Sequence, residues 1–182
     1  MSEFSELLDL EPKRLQARLR WLNALPFHDA HKAFLNCCGS SKWAHAMAHA
    51  RPFADLNEIA QRAQENFDAL ANEDWKEAFA SHPKIGEAKM SGGEPAQHWS
   101  QQEQSAAAIS SLGIRRKLRQ QNEEYYSRFG YIFIICATGK SAEQVSAALE
   151  KRLKSDPAAE LQIAASEQRK ITLLRLQKMM VL

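Results

Sequence analysis

A single stretch of this chain reads as a β-strand, and a strand does not stand alone. Phe129-Gly130-Tyr131-Ile132-Phe133-Ile134-Ile135-Cys136-Ala137 is rich in aromatic and β-branched residues and stops at Gly139. No second run of this kind offers it a ladder partner. Buried backbone N–H and C=O groups need hydrogen-bond partners, so the sequence predicts a buried extended segment between helices, with backbone groups left over for a ligand. The rest of the chain follows a helical period. The expected class is therefore all-α: a single-domain bundle, residues 1–182, of about eight helices with one short extended segment near 129–137.

Proline, glycine and capping residues cut the remainder into helices. Leu15, Leu19 and Leu22 keep helical spacing after Pro12, which suits a first turn, and Pro26 ends that run. Ala30, Ala33, Phe34 and Cys37 mark one face of a helix over roughly 29–38, with Gly39 placed to cap it. Ser40 or Ser41 opens a third helix that ends before Arg51-Pro52-Phe53. Asp55 caps a longer one with Leu56, Ile59, Ala60, Ala63, Phe67 and Leu70 on one face. A short helix carrying Trp75 and Phe79 delivers the chain to His82, and the Gly-rich stretch 91–95, which has no periodicity, reads as a loop. Further helices are expected from Ser100 to about Leu112, from Ile114 to Arg128, from the Ser141-x-x-Gln144 capping box to about Ser155, and from Asp156-Pro157 onward.

Composition excludes several functional classes. Lys plus Arg exceed Asp plus Glu by two, 24 against 22, and the charges are interspersed. No electrostatic field for nucleic acid or an anionic membrane follows from that balance. No stretch approaches ~20 apolar residues, so no membrane span is expected. Three cysteines, two of them adjacent at Cys37 and Cys38, do not make a disulfide framework and suit a reducing compartment. The acidic start, Met1-Ser2-Glu3-Phe4-Ser5-Glu6, lacks the basic and apolar regions of a signal peptide. The closing Met179-Met180-Val181-Leu182 is not a peroxisomal address. A cytoplasmic protein is the expectation.

The stretch from His82 to Gln104 carries the densest chemistry. His82 precedes Pro83, which biases its backbone away from a continuing helix and sets the imidazole at the end of an element. Ser100, Glu103 and Gln104 lie three and four residues apart, so on a helix they share one face within roughly 6 Å of axial rise. An acid or base, a carboxyl and an amide thus have a route to one small polar molecule. Two plainer readings stand beside this one. Ser100-x-x-Glu103 is also a capping box, and His82 also serves as a helix stop with a solvated ring.

Other candidate chemistry is weaker. His45 and His49 have the i, i+4 spacing of a ligand pair, yet no zincin glutamate or third ligand accompanies them, so no metal site is assigned. No Gly-rich phosphate loop follows a strand. Cys37 and Cys38 read as small core residues. Arg175 is more informative, four residues after Ile171 and beside Leu174 and Leu176. Either its stem packs while the head reaches water, or a planar fork meets a carboxylate or carbonyls in a cleft.

Taken in order, His82-Pro83-x-Ile85-Gly86, Ser100-x-x-Glu103-Gln104, Phe129-Gly130-Tyr131-x-Phe133 and Arg175-Leu176 resemble a known family. It comprises the cofactor-independent decarboxylases of purine breakdown that act on 2-oxo-4-hydroxy-4-carboxy-5-ureidoimidazoline (OHCU) and yield (S)-allantoin. Arg51-Pro52-Phe53 matches a further family block. The resemblance covers about residues 22–180 and leaves 1–21 as a variable N-terminal segment.

The resemblance implies an all-α fold, a small-molecule substrate, neither metal nor organic cofactor, and a homodimer as the candidate assembly. It makes His82 and Glu103 catalytic residues. It assigns substrate binding to Pro83, to the turn Ser100, Gln101, Gln102, Glu103 and Gln104, to the backbone of Phe133, Ile134, Ile135, Cys136 and Ala137, and to Arg175. Lys84 and the length of the Gly-rich loop fall where the family varies. The alternative from a different class is a non-catalytic all-α module that binds a ureido-imidazoline-type ligand and has lost the chemistry.

Overall fold

The computed structural model describes residues 12–83 and 112–181. Among these residues the chain is all-helical: α1 Pro12–Ala24, α2 Phe27–Cys38, α3 Ser41–His49, α4 Leu56–Asp68, α5 Asn72–Ala80, α6 Leu112–Phe129, α7 Ala142–Arg152 and α8 Pro157–Val181. No strand occurs in them, and 132–137 run without regular secondary structure, as the lone β-like stretch predicts. The expected helix from Ser100, the Gly-rich stretch 91–95 and the first eleven residues lie outside the described residues.

Local sequence explains most helix ends. Gly39 closes α2 at φ 83°, the left-handed conformation that costs glycine little. Asp55 accepts the Glu58 amide at 2.9 Å and starts α4. Ser141 and Gln144 form both bonds of a capping box, Gln144 N–H to Ser141 Oγ at 3.3 Å and Ser141 N–H to Gln144 Oε1 at 2.8 Å. Helix α2 begins two residues earlier than its apolar face suggests. Pro26 stands at the N-cap with extended backbone, φ −52° and ψ 150°, and Phe27 already occupies the first helical position.

Two compact units make up the chain, residues 1–74 with 169–182, and residues 75–168. In the first, α2 packs on α3 and α3 on α4. Phe34 lies fully buried with its ring edge-on to Trp43 (6.0 Å) and Phe53 (6.2 Å). Burying such a side chain contributes about 1.5–3 kcal/mol. The Trp43 indole N–H donates to Ala63 O at 3.0 Å, so its polar edge is satisfied inside the core. Arg51 donates to Leu22 O and Leu25 O, both at 2.7 Å, and to Ala48 O at 3.1 Å, which satisfies carbonyls at the ends of α1 and α3. Asn23 and the Phe53 backbone exchange two hydrogen bonds, at 2.8 and 2.9 Å. The Arg51-Pro52-Phe53 block is thus a clamp on helix ends.

In the second unit, α6 packs on α7, and Tyr125 of α6 is fully buried at the centre of an aromatic cluster. Its ring meets Phe129, Tyr131 and Phe133 at centroid distances of 4.6, 5.8 and 5.3 Å. Tyr131 and Phe133, two residues apart, present their rings to the same partner, as alternate residues of an extended chain do.

Candidate functional site

Helix α5 ends as a tightening turn. Ser81 N–H and Oγ both reach Ala78 O, at 3.2 and 2.7 Å, and His82 N–H donates to Phe79 O at 3.1 Å. Pro83 then forbids a further helical turn. His82 and Pro83 are half-buried, and the His82 Nε2 is screened from solvent. Phe79, three residues earlier, is fully buried and packs on Tyr131 at 5.3 Å. That contact ties the His82 turn to the start of the segment carrying Phe133 to Ala137.

Side chains from the last two helices hold this segment. Arg152, at the end of α7, donates from Nη1 to Ile134 O at 2.6 Å while its guanidinium lies over the Phe133 ring at 4.6 Å. The same guanidinium pairs with Glu160 of α8, Nε to Oε1 at 2.7 Å and Nη2 to Oε1 at 2.6 Å. Tyr125 donates its hydroxyl to Glu160 Oε1 at 2.5 Å. Burial, and then this bond to Glu160, push the Tyr125 hydroxyl above its ordinary pKa, so it stays a donor. Farther along α8, Glu167 Oε2 accepts the Cys136 amide at 2.8 Å. Ala137 O accepts from Lys140 N–H at 3.0 Å in the turn that follows.

The sequence expectation of idle backbone groups in this segment needs correcting at three of them, Ala137 O being taken by the Lys140 amide. Ile134 O and Cys136 N–H are engaged by protein side chains. Sequence reasoning missed Arg152, Glu160 and Glu167. A signal for one of them existed: Val145, Leu149 and Arg152 fall at i, i+4 and i+7, so the arginine continues the apolar stripe of α7.

Arg175 belongs to the other unit and is 3% exposed, which rules out a head snorkelling into water. Its Nη1 donates to Asn36 O at 3.4 Å. Burial pushes the neighbouring Cys37 thiol up to about 12, with the Arg175 charge pulling the other way. Ser100, Gln101, Gln102, Glu103 and Gln104 lie outside the described residues. His45 and His49 bring their rings to 4.5 Å, yet among the described residues no group of three His, Cys, Asp or Glu stands where it holds a metal ion. No helix among them is long and apolar enough to cross a membrane.

Residues 23–177 match the model of a family described as OHCU decarboxylase. The chain is 36% identical over 145 residues to the uric acid degradation bifunctional protein TTL of Arabidopsis thaliana, a match covering 79% of this chain and 45% of that protein. It therefore spans a little under half the length of that relative. It is 29% identical to the 2-oxo-4-hydroxy-4-carboxy-5-ureidoimidazoline decarboxylase of Amia calva, covering 87% of this chain and 92% of that one. Among solved structures, a crystal structure of OHCU decarboxylase in the presence of (S)-allantoin superposes with a TM-score of 0.69 at 36% identity, covering 80% of this chain and 94% of that one.

Proposed function

Because the chain belongs to the OHCU decarboxylase family, the carboxy-lyases of urate degradation, we propose that it converts OHCU to (S)-allantoin with His82 as the proton-handling residue. The observation that carries this reading is the tethering of the His82 turn, through Phe79 and Tyr131, to the segment Phe133 to Ala137. Two regions far apart in sequence that the family resemblance assigns to one substrate lie in one compact unit.

The chemistry suits a protein acting alone. The substrate's name places a ring C=N beside the carbon that bears the carboxylate. When the C–C bond to that carboxylate breaks, carbon dioxide leaves, the bonding pair forms a C=C bond to the neighbouring ring carbon, and the imine nitrogen takes the displaced pair. A proton then goes to one face of the carbon bearing the ureido group, and the neighbouring hydroxyl becomes a carbonyl. One proton is consumed overall. No external electron sink is required, so the enzyme works without a cofactor. Orientation, exclusion of water from the departing carboxylate, and delivery of the proton to one face are what the protein supplies.

His82, an imidazole that titrates near neutrality in its ordinary state, delivers that proton. Glu103 and Gln104, together with Ser100, Gln101 and Gln102, grip the ureido and ring amides. Pro83 borders the substrate, and Phe133 to Ala137 meet it through their backbone. Cys37, Cys38 and Cys136, all buried, form no disulfide with one another, which fits a cytoplasmic setting. A homodimer is part of the same reading, and light scattering on the purified chain checks it.

The experiment supplies freshly generated product of urate oxidation and hydroxyisourate hydrolysis and follows optical activity. The reading requires (S)-allantoin to appear faster than the spontaneous reaction and in enantiomeric excess. Racemic product at the background rate contradicts it and favours a binding module.

A further inference from the structure

The reading above, on which this inference rests, makes the backbone of Phe133 to Ala137 a substrate contact without saying which of its groups are used. In an extended chain the N–H and C=O of one residue point to one side, and those of the next residue to the other. Ile134 and Cys136 therefore present their groups on the same edge. Both are held by protein: Ile134 O by Arg152 Nη1 at 2.6 Å, Cys136 N–H by Glu167 Oε2 at 2.8 Å. The opposite edge carries the N–H and C=O of Phe133 and Ile135 and the N–H of Ala137. Among the described residues no hydrogen bond engages the backbone of Phe133 or Ile135.

We infer that the substrate is read by this second edge alone, with Ile135 at its centre, and that Glu167 and Arg152 are positioning residues that fix which edge is presented. Ile135 offers a donor and an acceptor side by side. A ureido group or ring lactam, whose own N–H and C=O are adjacent, complements that pair with two hydrogen bonds. A carboxylate, which only accepts, satisfies half of it. The edge thus selects the ureide part of the ligand and leaves the departing carboxyl group for other residues.

Glu167 is the residue through which this is tested, because its role is that of an acceptor and a glutamine retains one. Steady-state kinetics on wild type, Glu167→Gln and Glu167→Ala separate the possibilities. The alanine variant is expected to raise KM about tenfold, the scale of one lost hydrogen bond, with kcat changed much less. The glutamine variant is expected to restore KM to near the wild-type value. An unchanged KM in Glu167→Ala, or a glutamine variant as impaired as the alanine one, overturns the assignment.

A second arm uses wild type and (S)-allantoin as the probe, so it needs neither turnover nor a folded variant. Amide hydrogen exchange followed by NMR is expected to show Cys136 already protected in the free protein, with (S)-allantoin adding protection at Ile135 and Phe133. Protection gained at Cys136 and not at Ile135 overturns the edge assignment. An inactive wild type with the Ile135 response intact counts against the decarboxylase reading and leaves the edge assignment standing.

Discussion

Arg152 and Glu160 form a buried ion pair, Nη2 to Oε1 at 2.6 Å, in which the carboxylate is fully enclosed and also accepts the Tyr125 hydroxyl. Through Arg152 the pair reaches Ile134 O and the Phe133 ring. A charge network inside the second unit therefore sets the backbone that the proposed substrate meets.

Removing one partner of such a pair leaves an uncompensated buried charge. Arg152→Met is expected to destabilise the protein by about 3–5 kcal/mol, because Glu160 loses its counter-charge in the interior. The double variant Arg152→Met, Glu160→Gln is expected to recover part of that loss, since no charge is then stranded. Urea unfolding of the two variants beside wild type checks the ordering. A double variant less stable than the single one contradicts it.

Cys37 is fully buried, and burial pushes its thiol up to about 12, so at about pH 8 it holds almost no thiolate, the form that reacts. A thiol-specific reagent is expected to leave Cys37 unlabelled in the folded protein and to label it in denaturant. Peptide mass analysis after alkylation reads this directly. Rapid native labelling at Cys37 would show that its enclosure is wrong.

Asp74 accepts the Ala71 amide at 2.8 Å and pairs with Lys42 at 2.9 Å, and these two contacts, in that order, hold its carboxyl below the ordinary carboxylate range. The unfolded chain therefore takes up the proton first as pH falls. The stability this carboxylate contributes is present above its unfolded pKa and is lost as pH drops through the lower folded value. Asp74→Asn is expected to lower Tm at neutral pH and to match wild type near pH 2. Added salt narrows the neutral-pH gap, because Lys42 is largely exposed. A Tm difference that persists unchanged in acid contradicts the carboxylate's role.

How much of this the sequence carries depends on how local each cause is. Gly39, Asp55 and the Ser141–Gln144 capping box act on amides within a few residues, and each does in the structure what its spacing predicts. The unpartnered β-like run correctly predicts an irregular segment within an all-helical fold. Arg152 and Glu160 were harder to read. A cation in the last turn of one helix and an anion in the first turn of the next look like ordinary dipole-complementing surface charges. Their burial depends on two helices placing them against each other and against Tyr125, which no local pattern encodes. Arg175 left two readings open in the sequence, and its burial removes the one that placed its head in water. Glu167 is a half-buried helix residue whose partner, Cys136, lies 31 positions earlier, beyond the reach of any periodicity.

The central claim is that His82 handles the proton, and one comparison tests it most directly. Wild type and His82→Ala are given freshly generated OHCU at neutral pH, and the appearance of (S)-allantoin is followed by circular dichroism. Loss of a general acid predicts a fall in rate of about 10²- to 10⁴-fold, with the fold intact by far-ultraviolet circular dichroism. A folded His82→Ala protein that makes (S)-allantoin at the wild-type rate would contradict the account.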